Sequence, residues 1–191
     1  MPFGLFRRWR RRRLARRPMP AHWGPIVEAH FPFAAALQHD ERVRFLTRLK
    51  VFAAEKHFEG AQGLVVTDEM RVVVAGSAAR LARNLPLDVY DGLDTVLLYD
   101  AAWKPKDGQG VILGEAHRLG LVVLAWDAVR HGLANPSDGR DTALHEFAHV
   151  LDASDGAFDG TPPLPELQDY RAWTRVCSEH FLKLRAAPHK H

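Results

Sequence analysis

Apolar and charged positions along the chain follow two rhythms. From Phe33 to about Phe58, FAAALQHDERVRFLTRLKVFAAEKHF places Leu37, Phe45, Leu46, Leu49, Phe52 and Ala53 close to a helical period with charges between them, which predicts one or two helices. Gly60 and Gly63 close that region. LVVTDEMRVVVAG then offers two β-branched runs around Asp68-Glu69, predicting a hairpin or a strand and its entry. SAARLARNL, residues 77–85, predicts a short helix ended by Pro86. Three further strands are predicted at DTVLLYD (94–100), GVILG (110–114) and LGLVVLAWD (119–127). After the turn cluster at 135–139, Asp138 or Asp141 is placed to cap a helix carrying His145 to about Asp152.

Pro162, Pro163 and Pro165 exclude regular structure, and Glu166 to about Arg185 predicts a last helix that buries Leu167, Tyr170, Trp173, Val176, Cys177, Phe181 and Leu184. Helices before and after a cluster of strands give an α+β fold. A small mixed or antiparallel sheet is expected, not an alternating βαβ pattern with a parallel sheet.

Composition adds bounds to this picture. With 191 residues, 47% apolar and 26% charged, the chain has the length of one domain and enough apolar side chains for a sizeable core. It contains no apolar run of about eighteen residues, so no membrane-crossing helix is expected. The single cysteine, Cys177, excludes an internal disulfide and a paired-thiolate zinc site, in keeping with a reducing cytoplasm.

Charge is unevenly distributed. Residues 1–17 hold eight arginines and no acidic residue; subtracting these eight from the net +3 leaves −5 for the remainder. Residues 1–20 are therefore expected as a basic N-terminal tail. It is either a solvated, frayed segment with some packing by Trp9, or an anchor for the phosphates of nucleic acid or anionic lipid, with Phe3, Leu5, Phe6 and Trp9 as apolar inserts. No apolar segment follows that would make it a secretory signal.

The chemistry concentrates at His145-Glu146-Phe147-Ala148-His149, an H-E-x-x-H sequence. Residues four apart on a helix share a face, so both imidazoles can reach one metal ion. A catalytic zinc takes three protein ligands and leaves a position for water, while a glutamate beside the first histidine is placed to accept a proton from that water. In a chain of this composition the pattern arises by chance with a probability of about 0.03. The flanking Ala143, Leu144, Phe147, Ala148, Val150 and Leu151 make the helix apolar nearly all round, which predicts burial. A pair of core histidines bonded to nearby carbonyls is the alternative. Asp152 is either an acceptor that orients a histidine or a helix-end residue. GVILG or GLVVLAW offers an edge against which an extended peptide substrate can pair.

In this order, FLTRLKVFAAEKHFEGAQGLVVTDEMRVVVAGSAARL, DTVLLYDAAW, LAWDAVRHG and TALHEFAHVLDASDGAFDGTPPLP resemble the Mlc titration factor A family of bacterial zinc-dependent peptidases, from about Trp23 onward. The resemblance implies a zincin-like fold over residues 21–191, zinc held by His145 and His149, and Glu146 as the catalytic base. It further implies a cytosolic metallopeptidase, aminopeptidase-like, that binds a glucose-responsive repressor of the Mlc kind. A non-catalytic protein that sequesters the repressor is the alternative. The family's third zinc ligand is a glutamate on a later helix, in a segment like NPAEFFA, and this sequence reaches His191 without one. The domain is therefore expected to be C-terminally incomplete, to use a substitute such as Asp155, Glu166, Glu179 or His180, or to leave the site empty.

Overall fold

The computed structural model describes residues 2–101, 120–136, 138–156, 160–161, 164 and 166–186. Helices α1 (Pro2–Arg16), α2 (Trp23–His30) and the single turn α3 (Phe33–Ala36) lead into α4 (His39–Glu55). Gln38 and Glu41 close a capping box at the start of α4, satisfying backbone donors that a helix N-terminus leaves open. Strand β1 (His57–Gly60) follows, then α5 (Asp68–Leu81), β2 (Thr95–Tyr99), β3 (Leu121–Ala125), α6 (Trp126–Ala134), α7 (Thr142–Asp152) and α8 (Leu167–Ala186). The strand expected at 110–114 lies outside the described residues.

The mixture of helices and one small sheet agrees with the sequence reading, and the described pairings are parallel, against the antiparallel alternative. The described sheet has the order β1-β2-β3 and both pairings are parallel, with Phe58 beside Val96 and Val96 beside Val122. The cause lies between β1 and β2. The valine-rich stretch expected as a hairpin or strand folds into α5, and a crossing helix returns the chain to the same end of the sheet, which makes the two strands parallel.

Helix α5 begins where Thr67 Oγ1 accepts from the Met70 amide at 3.2 Å, and Asp68 and Glu69 place negative charge in its first turn. Val72, Val73, Val74, Ala75 and Ala78 are fully buried, so the helix is enclosed on every side. It packs against α4, α2 and α7. Small residues make that enclosure feasible. At Gly76 an added Cβ would lie 2.2 Å from the buried Phe31 ring, so the ring occupies the place of a side chain.

The loop from Ala82 to Asp94 is strapped down by two kinds of bond. Tyr90 Oη donates to the Ala78 carbonyl at 3.1 Å, and Lys56 Nζ donates to the carbonyls of Tyr90 and Leu93, each at 2.6 Å. Burial pushes the Tyr90 pKa upward, with Arg48 acting against it, so the phenol remains a neutral donor. Val96, Leu98, Val122 and Leu124 form the inner face of the sheet and join the same core.

Two ends of the chain depart from expectation. Against the expectation of a frayed tail packed by Trp9, residues 2–16 are helical and packed on α4, and Trp9 faces outward. Helix α8 forms over the expected residues, yet none of its described residues is buried, because no described element covers its apolar positions. A single methyl group tests the enclosure of α5. Gly76→Ala should lower stability by about 1–3 kcal/mol through overpacking against Phe31. Chemical denaturation would read this as a lower midpoint with an unchanged slope.

Candidate metal centre

Helix α7 carries the H-E-x-x-H residues, and its start is set by Asp141. The Asp141 carboxylate accepts from the Leu144 amide at 3.0 Å, so of the two expected caps it is Asp141, not Asp138, that serves. Arg80 of α5 lies 3.6 Å from the other Asp141 oxygen, a half-exposed pair of small energetic weight. Gly132, in α6, permits the last turn of that helix to lie against the cap: a Cβ there would stand 2.8 Å from the Arg140 carbonyl oxygen and 2.9 Å from Asp141 Cα.

Rotation of α7 about its axis is set by its apolar side. Phe147 is fully buried, with its ring 5.4 Å from that of Phe52 and 5.6 Å from that of Tyr90, both edge to face. Ala143, Val150 and Leu151 are buried beside it. This contact turns the opposite side outward. His145 and His149 are exposed, and Ala148 with them, so the helix is buried on one side and not all round as its composition implied.

The two imidazoles converge. Their Nε2 atoms are 3.1 Å apart, with the rings nearly perpendicular at 85°. Two nitrogens bound to one tetrahedral zinc at the usual bond length stand about 3.3 Å apart, so the pair is already at ligand spacing. The alternative of two core histidines does not hold, because both rings face outward. Glu146, one position beyond His145, points inward and is 3% exposed.

The remaining sequence-derived candidates fall elsewhere. Asp152, the last residue of α7, accepts from the Gly160 amide at Oδ1 at 2.8 Å, as a helix-end residue does. Glu166, Glu179 and His180 form no cluster with the histidine pair: among the described residues no group of three or more His, Cys, Asp or Glu is arranged to hold a metal. The Asp155 side chain lies outside the described residues. Zinc would thus be held by His145 and His149, two of the three protein ligands that a catalytic site takes.

Strand β3 stands at one end of the described sheet order and packs against α7. Pattern reading did not find the parts that aim the helix. Tyr90 sits in a loop without hydrophobic periodicity, and Gly132 carries no side chain for a pattern to register, so only their contacts show their role.

The family model for the glucose-regulated metallo-peptidase M90 matches residues 6–191, and the chain belongs to that family. An uncharacterized protein of Synechocystis is 35% identical over 188 residues, covering 92% of this chain and 68% of its own length. Mlc titration factor A of Serratia proteamaculans is 28% identical over 154 residues, and its Yersinia pestis counterpart 27% over 167. These alignments cover 74% and 81% of this chain, which spans 58% and 60% of those two relatives. Among the described residues no helix is long and apolar enough to cross a membrane.

Removing the Asp141 cap should be felt by the helix that holds the histidines. Asp141→Ala is expected to cost about 0.5–2 kcal/mol, read as a fall in thermal midpoint, while Asp138→Ala should stay within about 0.5 kcal/mol.

Proposed function

We propose that the chain is the H-E-x-x-H portion of a zinc-dependent metallopeptidase, aminopeptidase-like and cytoplasmic, acting on peptide substrates. The observation that carries this reading is the 3.1 Å convergence of the His145 and His149 Nε2 atoms beside an inward-facing Glu146. Zinc at such a site supplies a Lewis acid that acidifies water and polarises a peptide carbonyl. His145 and His149, whose rings face outward from α7, would hold the ion through neutral imidazole nitrogens. Glu146 is the general base: its carboxylate takes a proton from the attacking water and delivers it to the leaving amine. Its burial in a low-dielectric surrounding strengthens that exchange. An extended substrate pairs by its main chain along the edge of β3. The third zinc ligand belongs to a segment outside the described residues, as the family resemblance implies.

A second reading is favoured by the name of two relatives. Two relatives carry the name Mlc titration factor A, and on this reading the chain binds an Mlc-like repressor without turning over peptide. The two readings are compatible.

Zn²⁺ titrated into the dialysed 191-residue protein should occupy one weak site, lost in His145→Ala and in His149→Ala, whereas zinc near one per chain retained through dialysis would mean that a residue of this chain completes the site. Zinc that survives both substitutions would place the metal elsewhere, at the closing His189-Lys190-His191 for example. In the zinc-loaded protein Glu146→Gln should keep the metal and lower peptide hydrolysis by about 10²–10⁴-fold. Undiminished hydrolysis would remove Glu146 from the role of base. Repressor captured equally by wild type and His145→Ala would support the second reading, and absence of capture would end it.

A further inference from the structure

Helix α1 has two unlike faces. Its inner stripe is Arg7, Arg11, Leu14 and Ala15, at helical spacing. Arg11 is almost fully buried and grips Glu55 in bidentate fashion, Nε to Oε1 at 3.1 Å and Nη2 to Oε2 at 2.8 Å, while also bonding Asp91. Arg7 pairs with the other Asp91 oxygen at 3.2 Å. Lys50 of α4 donates to the carbonyls of Ala15 and Arg17 at 3.0 and 2.7 Å, closing the helix end. These bonds fix the helix in place and in rotation.

The opposite stripe follows from that rotation. Leu5, Arg8, Trp9, Arg12 and Arg16 recur at i, i+3, i+4, i+7 and i+11, with Phe6 and Arg13 alongside, and all seven are exposed. Leu5 is 71% exposed, Phe6 62% and Trp9 57%. Phe6 and Trp9 stack with ring centroids 6.2 Å apart, and the Arg13 guanidinium lies 5.8 Å over the Trp9 ring. Arg8, Arg12, Arg13, Arg16 and Arg17 form no ion pair among the described residues. The face thus combines an apolar cluster at one end with uncompensated positive charge along its length.

We propose that this outward face of α1 is a docking surface for an anionic lipid bilayer. The arginines meet lipid phosphates, while Leu5, Phe6 and Trp9 enter the boundary between headgroups and acyl chains, where tryptophan is favoured. Charge complementarity alone would suit a nucleic acid equally. The apolar cluster separates the two, because a duplex backbone offers nothing that would cover Leu5 and Phe6, whereas a bilayer interface does. The inference is independent of the metal centre: it uses no residue of α7.

The test is co-sedimentation of the full 191-residue chain with vesicles of phosphatidylcholine alone and of an equimolar mixture with phosphatidylglycerol. Binding is expected on the mixed vesicles only and should weaken as salt is raised. The triple variant Arg12→Ala, Arg13→Ala, Arg16→Ala should lower the partition coefficient by about fivefold per arginine. Phe6→Ser with Trp9→Ser should lower it by roughly tenfold or more. Neither variant touches Arg11, and circular dichroism should show both as helical as the wild type. Absence of binding to the mixed vesicles overturns the proposal, as does binding that the Phe6→Ser, Trp9→Ser variant keeps in full. Retention on duplex DNA by wild type and that variant alike, without vesicle binding, would assign the face to nucleic acid instead.

Discussion

The burial of Phe147 between Phe52 and Tyr90 governs the orientation of everything that surrounds the histidine pair. A helix that exposes one side can roll about its axis unless something on the other side is specific in shape, and edge-to-face aromatic packing supplies that specificity. Truncating such a ring would leave a cavity worth about 3–5 kcal/mol. More telling for chemistry, it would free α7 to turn, and each 100° of turn is one residue of register on the helix surface. The 3.1 Å approach of the two Nε2 atoms is therefore a property of three elements: α4 brings Phe52, the loop tied to α5 brings Tyr90, and α7 brings Phe147.

The candidate site was the most legible part of the sequence, because its signal is local. His145, Glu146 and His149 share one helical turn, and the capping aspartate precedes them by a few residues, so short-range spacing is enough to find them. The last helix and the strands at 95–99 and 121–125 were legible for the same reason. What escaped were elements whose identity depends on distant neighbours. VVVAG has the β-branched composition of a strand, yet Thr67 caps it as a helix and enclosure on all sides makes its valines useful there. Propensity yields to packing when a helix is buried all round. With that stretch expected as strand, the crossing helix that makes β1 and β2 parallel was not foreseen. Strand β1 is four residues long and pairs on one side, too short a stretch for a period to emerge.

The arginine-rich segment shows a different limit. A run of like charges reads as solvated because repulsion and hydration both favour water. Here one arginine of the run meets two carboxylates from separate elements, Glu55 at the end of α4 and Asp91 in the loop before β2. Burial alone would lower the Arg11 pKa, and the bonds to Glu55 and Asp91 outweigh it, so the net shift is upward and the cation is held firmly. Neither carboxylate announces this role in the sequence, since both stand far from the arginines along the chain.

Arg11 also alters what it means to shorten this protein. An N-terminal segment of such composition invites removal when a compact version is wanted for study. Cutting it away would withdraw the guanidinium that bridges Glu55 and Asp91 and leave a nearly buried carboxylate without that partner. Loss of one member of a buried ion pair costs about 3–5 kcal/mol. The same loop holds Tyr90, so the damage would reach the aromatic contact that aims the histidine helix. A trimmed chain with weak metal affinity would thus be reporting on its missing arginine as much as on its ligands.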